Sequence, residues 1–598
     1  METGRITISR NVVFDESAKT IVTEPEAFFE FSRDNPEIMD NAPSTTDSPD
    51  DRDSSRNELE HPRYNLRDRD DLRPPDRYIA CTAIYNNPRT YEEALSGTDA
   101  IFWERSIHEE LQAHSKNKTW EIVSLPKGRK PIGFIWVFKI KYPEDENMRR
   151  HKARLCAKGC SQHADIDYGE IFSPIVRYES IRVLLAIAVQ CNLKAIQFDV
   201  STAYLNSDLE KTTYMRIPDG LEVNDKNAVL KLNKAIYGLK QSGRCWNRKF
   251  DDFLKNLGFL QSSADKCVYI ATIDNKKIYL ALYVDDGLIL APDTNVLNKI
   301  TDSLKLEFHI TTSDLKYFVG MEIVRQPKSI HIHQKNYIFK LLQKFNMVDA
   351  NVVTTPADPN IRLKKPASGE KQCNPPYREA VGSLLFLSIV SRPDIAYAVS
   401  VVNRYLDNYD NSHWTAVKRI FRYLKGTDNF GIVYSNQPNA LIGYSDSDHA
   451  GDVDTRRSTT GYAFILSGGC ITWASKRQST VSLSTTEAEF IAACEATKEA
   501  VWLRKLLNDI EHPCVLPTVL KVDNQSAIKL SKNPEFHRRS KHIDVRYQFI
   551  CEKVKDCEID TQYVATDNQC ADIFTKALCR DKFETLRRCL NIIDIKNA

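Results

Sequence analysis

Two short apolar, β-prone runs, Ile278 to Leu282 and Leu288 to Ala291, flank Tyr283-Val284-Asp285-Asp286-Gly287 and leave that segment little choice of local structure. Asp-Gly between such runs predicts a β-hairpin whose turn carries the two carboxylates. Aspartate also favours turns for its own sake, because its side chain bonds nearby backbone N–H groups, so the pair alone fixes no function. Upstream, Ala195-Ile196-Gln197-Phe198 reads as a strand ending on Asp199, followed by small residues and Tyr204. A strand-end carboxylate and a hairpin-tip pair would supply the hard oxygen ligands that two neighbouring Mg²⁺ ions need, since Mg²⁺ prefers a few carboxylates plus substrate phosphates to an all-protein cage. Spacing alone does not bring together Asp199 and Asp285, which are 86 positions apart.

At 598 residues the chain exceeds one core, and three or four folded units with linkers are expected. Hydrophobic residues make up 42% and charged residues 27%, which fits ordinary globular protein. A net charge of +2 leaves any nucleic-acid-binding surface to local patches created by folding. The fifteen cysteines are scattered, with no Cys-x-x-Cys pair, and this predicts reduced thiols inside a cell. His151, Cys156, Cys160 and His163 have a zinc-like look, but both cysteines fall in or beside a strand-like run and a zinc site is not expected. No segment approaches the roughly 18 apolar residues of a membrane span, and Met1 to Arg10 lacks a secretory core, so neither membrane insertion nor export is expected.

Residues 1–18 alternate polar and apolar side chains like a strand pair, and residues 19–85 are rich in Asp, Ser, Pro and Arg and predict a disordered tether. From Tyr91 to about Pro356 strands and helices mix: Ile181 to Cys191 and Arg248 to Leu257 read as helices, Val229 to Leu232 as a strand. Residues 357–435 read as mainly helical, clearest at Ala380 to Ile389 and His413 to Leu424. Beyond them, strands at Leu441 to Asp446, Gly461 to Ser467, Cys470 to Ser475, Val519 to Asp523 and Thr561 to Thr566 interleave with helices, including Thr485 to Asn508, which predicts a mixed α/β sheet with helices packed on it. Asp446 and Asp523 end strands, Glu487 opens the long helix and Asp572 falls on a late helix, so four carboxylates have routes to one sheet end. Each has a structural explanation as well: Ser484-x-x-Glu487 is a capping box, and strand-end aspartates suit turns.

Tyr283-Val284-Asp285-Asp286 resembles the YxDD signature of reverse transcriptases, and its surroundings resemble the pol region of copia-type LTR retrotransposons. The resemblance runs through Asn117-Lys118-Thr119-Trp120-Glu121, Ile135-Trp136-Val137-Phe138-Lys139, Lys152-Ala153-Arg154-Leu155, Tyr237-Gly238-Leu239-Lys240-Gln241, Val319-Gly320-Met321-Glu322-Ile323, Arg392-Pro393-Asp394 and Arg422-Tyr423-Leu424-Lys425-Gly426-Thr427, and covers about residues 85–590. It implies a right-hand polymerase with fingers and palm over 86–356, thumb or connection helices over 357–435, and a ribonuclease H-like domain over 436–598. Residues 1–18 would be a remnant of the integrase C-terminal domain. The implied activities are RNA-directed DNA polymerase and endonucleolytic ribonuclease H, within a polyprotein that also serves DNA integration.

The resemblance also implies site residues. Asp199, Asp285 and Asp286 would hold two Mg²⁺ ions, which Mn²⁺ can replace. Arg154, with Lys152 as the weaker candidate, would grip the incoming triphosphate, and Tyr204 would carry the deoxyribose and exclude a 2′-OH. Asp446, Glu487, Asp523 and Asp572 would hold a second pair of ions; Glu489 competes with Glu487, which is preferred on motif position. The implied partners are RNA and DNA template-primer, RNA/DNA hybrid and dNTPs, with capsid proteins or a second copy as assembly partners, in a cytoplasmic virus-like particle or the nucleus. Ser201, Ser207, Gly243 and His449 depart from the commonest copia-type residues, and no histidine stands near Asp572, His542 being too far back. These departures, and the lack of a complete integrase core, protease triplet or zinc knuckle, keep open a fragment or defective copy. They also sustain an alternative of another class: a catalytically inactive or domesticated nucleic-acid-binding remnant.

Overall fold

Buried strands that read as unbroken apolar runs need cover on both faces, and the carboxylate hairpin obtains it. The computed structural model describes residues 87–141, 150–223, 225, 227–366, 375–437, 440–532 and 541–596, with side chains 141 and 541–547 excepted. The expectations for residues 1–18 and 19–85 lie outside the described residues. The central sheet is six-stranded and antiparallel, in the order Ile310–Asp314, Lys194–Val200, Asp286–Ala291, Lys276–Tyr283, Val268–Ile273, Leu260–Gln261. Successive side chains alternate faces. Tyr279, Ala281, Leu288 and Leu290 join the core that contains the helix Tyr178–Gln190, whereas Ile278, Leu280, Leu282 and Ile289 join Trp246, Phe250 and Leu254 of the helix Ser242–Asn256 and Val296, Leu297 and Ile300 of Thr294–Glu307.

Gly287 lies within this sandwich, where a Cβ would land in the ring of Phe198 on the neighbouring strand. That ring is buried and stacked on Phe250, so it has little room to move. Gly287→Ala is therefore expected to destabilise the sheet by about 1–3 kcal/mol, as overpacked cores do. Faster amide exchange along Asp286–Ala291, with a lower melting temperature, would be the readout.

Two smaller sheets precede and flank the central one: Phe134–Lys141 with Arg150–Ala157, and Trp120–Ser124, Ala228–Lys234 and Asp208–Met215. The C-terminal region forms the expected mixed sheet, in the order Gly469–Arg477, Thr459–Leu466, Ile442–Ser447, Thr518–Val522, Ile559–Tyr563, with the last two pairings parallel. The helix Thr485–Asp509 packs on it through a long buried face.

One element departs from the helical reading of 357–435. Phe430–Ser435 is a strand, and it pairs with Ser329–His333 on one side and Ile592–Asp594 on the other. Its β-prone Phe-Gly-Ile-Val-Tyr run follows the helix Asn411–Lys425 directly, and Gly431 lies so close to the Ile332 carbonyl that no side chain fits. This sheet draws on three stretches that the sequence alone reads as separate. Arg182 adds a second tie: fully buried in an otherwise apolar helix, it donates to the carbonyls of Ile471 at 2.6 Å, Ile389 at 2.8 Å and Val390 at 3.0 Å and lies over the Trp473 ring. Asp509, at the end of the long helix, accepts from Ser262 Oγ and the backbone of Ser263 and Ala264. Arg392-Pro393-Asp394 is also structural, since its arginine and aspartate form a fully buried pair with Tyr423 donating to the carboxylate at 2.6 Å. Cys570, on the 3-10 turn Cys570–Phe574, and Cys589, at the end of the helix Arg580–Cys589, are placed as a disulfide pair, whereas the other described cysteines are thiols. No described helix is long and apolar enough to cross a membrane.

Candidate active sites

The hairpin forms, but its turn is shifted from the Asp-Gly reading. Tyr283 pairs with Asp286, so Val284 and Asp285 are the loop residues, Asp286 opens the second strand, and Gly287 is a strand residue. Val284 adopts φ 59°, which a β-branched residue rarely accepts. Such backbone strain costs on the order of 1–3 kcal/mol and persists only where the surroundings hold it. Here Trp246 Nε1 donates to the Val284 carbonyl at 2.6 Å, and Val200 N–H donates to the Asp285 carbonyl at 2.8 Å.

Asp286 is the register partner of Asp199 across the central sheet. Directly opposite residues point to the same face, with Cα atoms roughly 4.5–5.5 Å apart. Asp199 is exposed and Asp285 and Asp286 are half-buried, so the three acids share one open end of the sheet.

An aromatic cluster lies within electrostatic reach of Asp285. The Arg154 guanidinium lies 4.4 Å from the Tyr237 ring centroid, and Tyr237 lies 4.6 Å from Tyr204. Burial, with a smaller contribution from Asp285, pushes both phenols up, against the opposing pull of Arg154. Asp285, Tyr204, Tyr237 and Arg154 thus sense one another electrostatically. Lys152 shares the Arg154 face of its strand by the two-residue period. Sequence reasoning gave Tyr237 no role. The available signal was an aromatic followed by Gly238, which takes φ 91° and packs against the backbone of Ala157 too closely for any side chain.

In the C-terminal sheet, Asp446, Glu489 and Asp523 each offer an oxygen within 4.8 Å of the others, the one such set of three among the described residues. Burial and the neighbouring acids push the carboxyls of Asp446 and Glu489 up, with Lys576 and Thr575 opposing the rise at Asp446. Glu489 is 6% exposed, and its Oε2 has no hydrogen-bond partner. That arrangement suits a cation, which would relieve the crowding.

Glu487, preferred on motif position, is elsewhere. Its carboxylate accepts from Leu483 N–H at 2.8 Å, one residue before the N-cap, while its own N–H donates to Ser484 Oγ, so it serves the start of the helix without completing a reciprocal capping box. The separation of the two glutamates has a simple cause: residues two apart on a helix face different sides, and the Glu489 side meets the sheet. Asp572 lies on the short 3-10 turn Cys570–Phe574 rather than on an α-helix, fully buried and outside the set of three. Asp523 accepts from Thr566 Oγ1 at 3.0 Å, and Asp448, two residues beyond Asp446, is pushed up to about 6 by burial.

Residues 117–359 match the family described as "Reverse transcriptase (RNA-dependent DNA polymerase)". Over 517 residues the chain is 43% identical to the retrovirus-related Pol polyprotein from transposon TNT 1-94 of Nicotiana tabacum, covering 84% of this chain and 39% of that one. It is 37% identical to the retrovirus-related Pol polyprotein from transposon RE1 of Arabidopsis thaliana, covering 86% and 35%. A putative transposon Ty5-1 protein of Saccharomyces cerevisiae is 32% identical, with 50% of this chain and 99% of that protein covered. The chain thus spans little over a third of the two plant polyproteins. With relatives at these identities on both sides of the carboxylate hairpin, the chain belongs to the Pol polyprotein family of copia-type retrotransposons.

Proposed function

We propose that the chain is an RNA-directed DNA polymerase that also hydrolyses the RNA strand of the resulting hybrid. The observation that carries the polymerase reading is the register of Asp199 against Asp286 at the strained hairpin tip. Divalent ions held there, Mg²⁺ or Mn²⁺, would lower the pKa of the primer 3′-OH and neutralise charge on the triphosphate. The chain's residues do the rest. Asp199, Asp285 and Asp286 present ligand oxygens at a fixed edge. Arg154 offers a planar fork of donors to the phosphates, and its stacking on Tyr237 keeps that fork from sweeping. Tyr204 is backed by Tyr237, so its ring is a firm surface for the deoxyribose.

Tyr204→Val should open space for a 2′-OH and raise ribonucleotide incorporation relative to deoxyribonucleotide by roughly 10- to 100-fold, the scale of pocket-size discrimination. Competitive single-nucleotide extension measures this ratio. An unchanged ratio would remove Tyr204 from sugar selection.

In the second site Asp446, Glu489 and Asp523 would hold a cation beside the scissile phosphodiester, on a hybrid recognised by groove shape and 2′-OH groups rather than by base sequence. Template-primer, hybrid and dNTPs are the substrates on this reading, and assembly with capsid proteins in a virus-like particle accompanies it. Extension of a primer on homopolymeric RNA by purified protein, with Mg²⁺ and then Mn²⁺, tests the proposal. Background incorporation with both ions would favour a non-catalytic nucleic-acid-binding remnant.

A further inference from the structure

The fourth acid of the second site is already neutralised by the protein. Asp572 is 0% exposed, and its two oxygens meet two different ammonium groups: Oδ1 lies 2.8 Å from Lys576 Nζ and Oδ2 lies 2.6 Å from Lys582 Nζ. Lys576 Nζ also lies 3.7 Å from Asp446 Oδ2, so it bridges the first and fourth carboxylates. Thr575, the residue before it, donates its hydroxyl to the same Asp446 oxygen. Asp572, Thr575, Lys576 and Lys582 come from one short segment, and Asp446 meets them from the strand Ile442–Ser447. Both oxygens of the fourth carboxylate are thus taken up by ammonium groups of the chain. The oxygens that converge for a divalent ion are those of Asp446, Glu489 and Asp523.

We infer that the Lys576 ammonium is a resident cation of the ribonuclease H site, standing where a second metal ion shared by Asp446 and Asp572 would bind and lowering that ion's affinity. This rests on the ribonuclease H reading above and narrows it: one divalent ion is held tightly, and the second position is filled by the chain. Lys576 is a positioning residue here, acting through metal occupancy. Its side chain is 39% exposed, so the ammonium keeps an open side from which to meet a phosphate.

The test is a count of bound Mn²⁺ on the full chain by electron paramagnetic resonance of the free ion. Asp285→Asn/Asp286→Asn silences the polymerase site in every sample. The parent should bind one tight ion, lost on adding Asp446→Asn. Lys576→Met, which keeps the aliphatic stem, should gain a second ion whose affinity rises about tenfold or more, as expected when a like charge is removed from beside it. Lys576→Arg should keep the parent count. Hydrogen exchange over Asp572 to Lys582 confirms that the Met variant is folded. Two tight ions in the parent, both sensitive to Asp446→Asn, would overturn the inference, as would an unchanged count in folded Lys576→Met. A parent with no ion sensitive to Asp446→Asn would sink the ribonuclease H reading itself, and the inference with it.

Discussion

Asp199→Asn is expected to lower primer extension by roughly three orders of magnitude while binding of the template-primer stays within a few-fold of the parent. The substitution keeps shape and volume but removes a ligand charge. Metal-borne stabilisation of the transition state is worth several kcal/mol, and each 1.4 kcal/mol is a factor of about ten in rate. Fold effects should be small, because Asp199 is exposed and its backbone pairing with Asp286 and Thr311 does not depend on the side chain. Duplex affinity comes largely from phosphate contacts, so it should fall steeply with salt in parent and variant alike. Single-turnover extension alongside a salt-titrated binding isotherm separates the two effects. Equal loss of binding and extension would mean that Asp199 serves the fold or the duplex rather than the reaction.

The second large effect discriminates two glutamates two residues apart. Glu489→Gln should reduce cleavage of an RNA/DNA hybrid by about 10²- to 10³-fold, because it withdraws a charge from the one set of three converging acids. Glu487→Ala should leave cleavage within a few-fold and cost about 1 kcal/mol of stability, the ordinary net worth of the one hydrogen bond its carboxylate accepts from Leu483 N–H. The expected pattern is therefore a crossover: rate lost with stability kept in one variant, stability lost with rate kept in the other. Cleavage rates and melting curves on the same preparations show it. The reverse pattern would return the ligand role to Glu487.

These contrasts mark what the sequence could and could not convey. The hairpin, the strand ending on Asp199 and the mixed C-terminal sheet were legible because apolar runs of strand length and period bracket them. The Asp-Gly signal placed the turn two residues late, since Gly287 answers to the Phe198 ring rather than to a turn requirement, and Val284 takes the left-handed position against its own preference. Glu487 and Glu489 were inseparable in sequence because a capping box and a metal ligand are both carboxylates near a helix start. Burial, which only tertiary packing supplies, tells them apart. Arg182 was silent inside an apolar run for the same reason: its partners are carbonyls more than 200 residues away. Tyr237 was visible as part of a motif but acquired meaning only when both Arg154 and Tyr204 packed against its ring. The ammonium groups on Asp572 could have been suspected from the four-residue spacing to Lys576, but the contact with Lys582 depends on how the following turn folds back.

The central claim is that Asp199 joins the Asp285-Asp286 pair around divalent ions when substrates are bound. Anomalous diffraction from crystals of the full chain with a template-primer, a non-hydrolysable dNTP analogue and Mn²⁺ addresses it directly. The account expects two manganese peaks at the hairpin tip, with carboxylate oxygens of Asp199 and of the hairpin pair in direct bonding reach. Manganese held at the hairpin while the Asp199 carboxylate is turned away, or no manganese there at all, would contradict it.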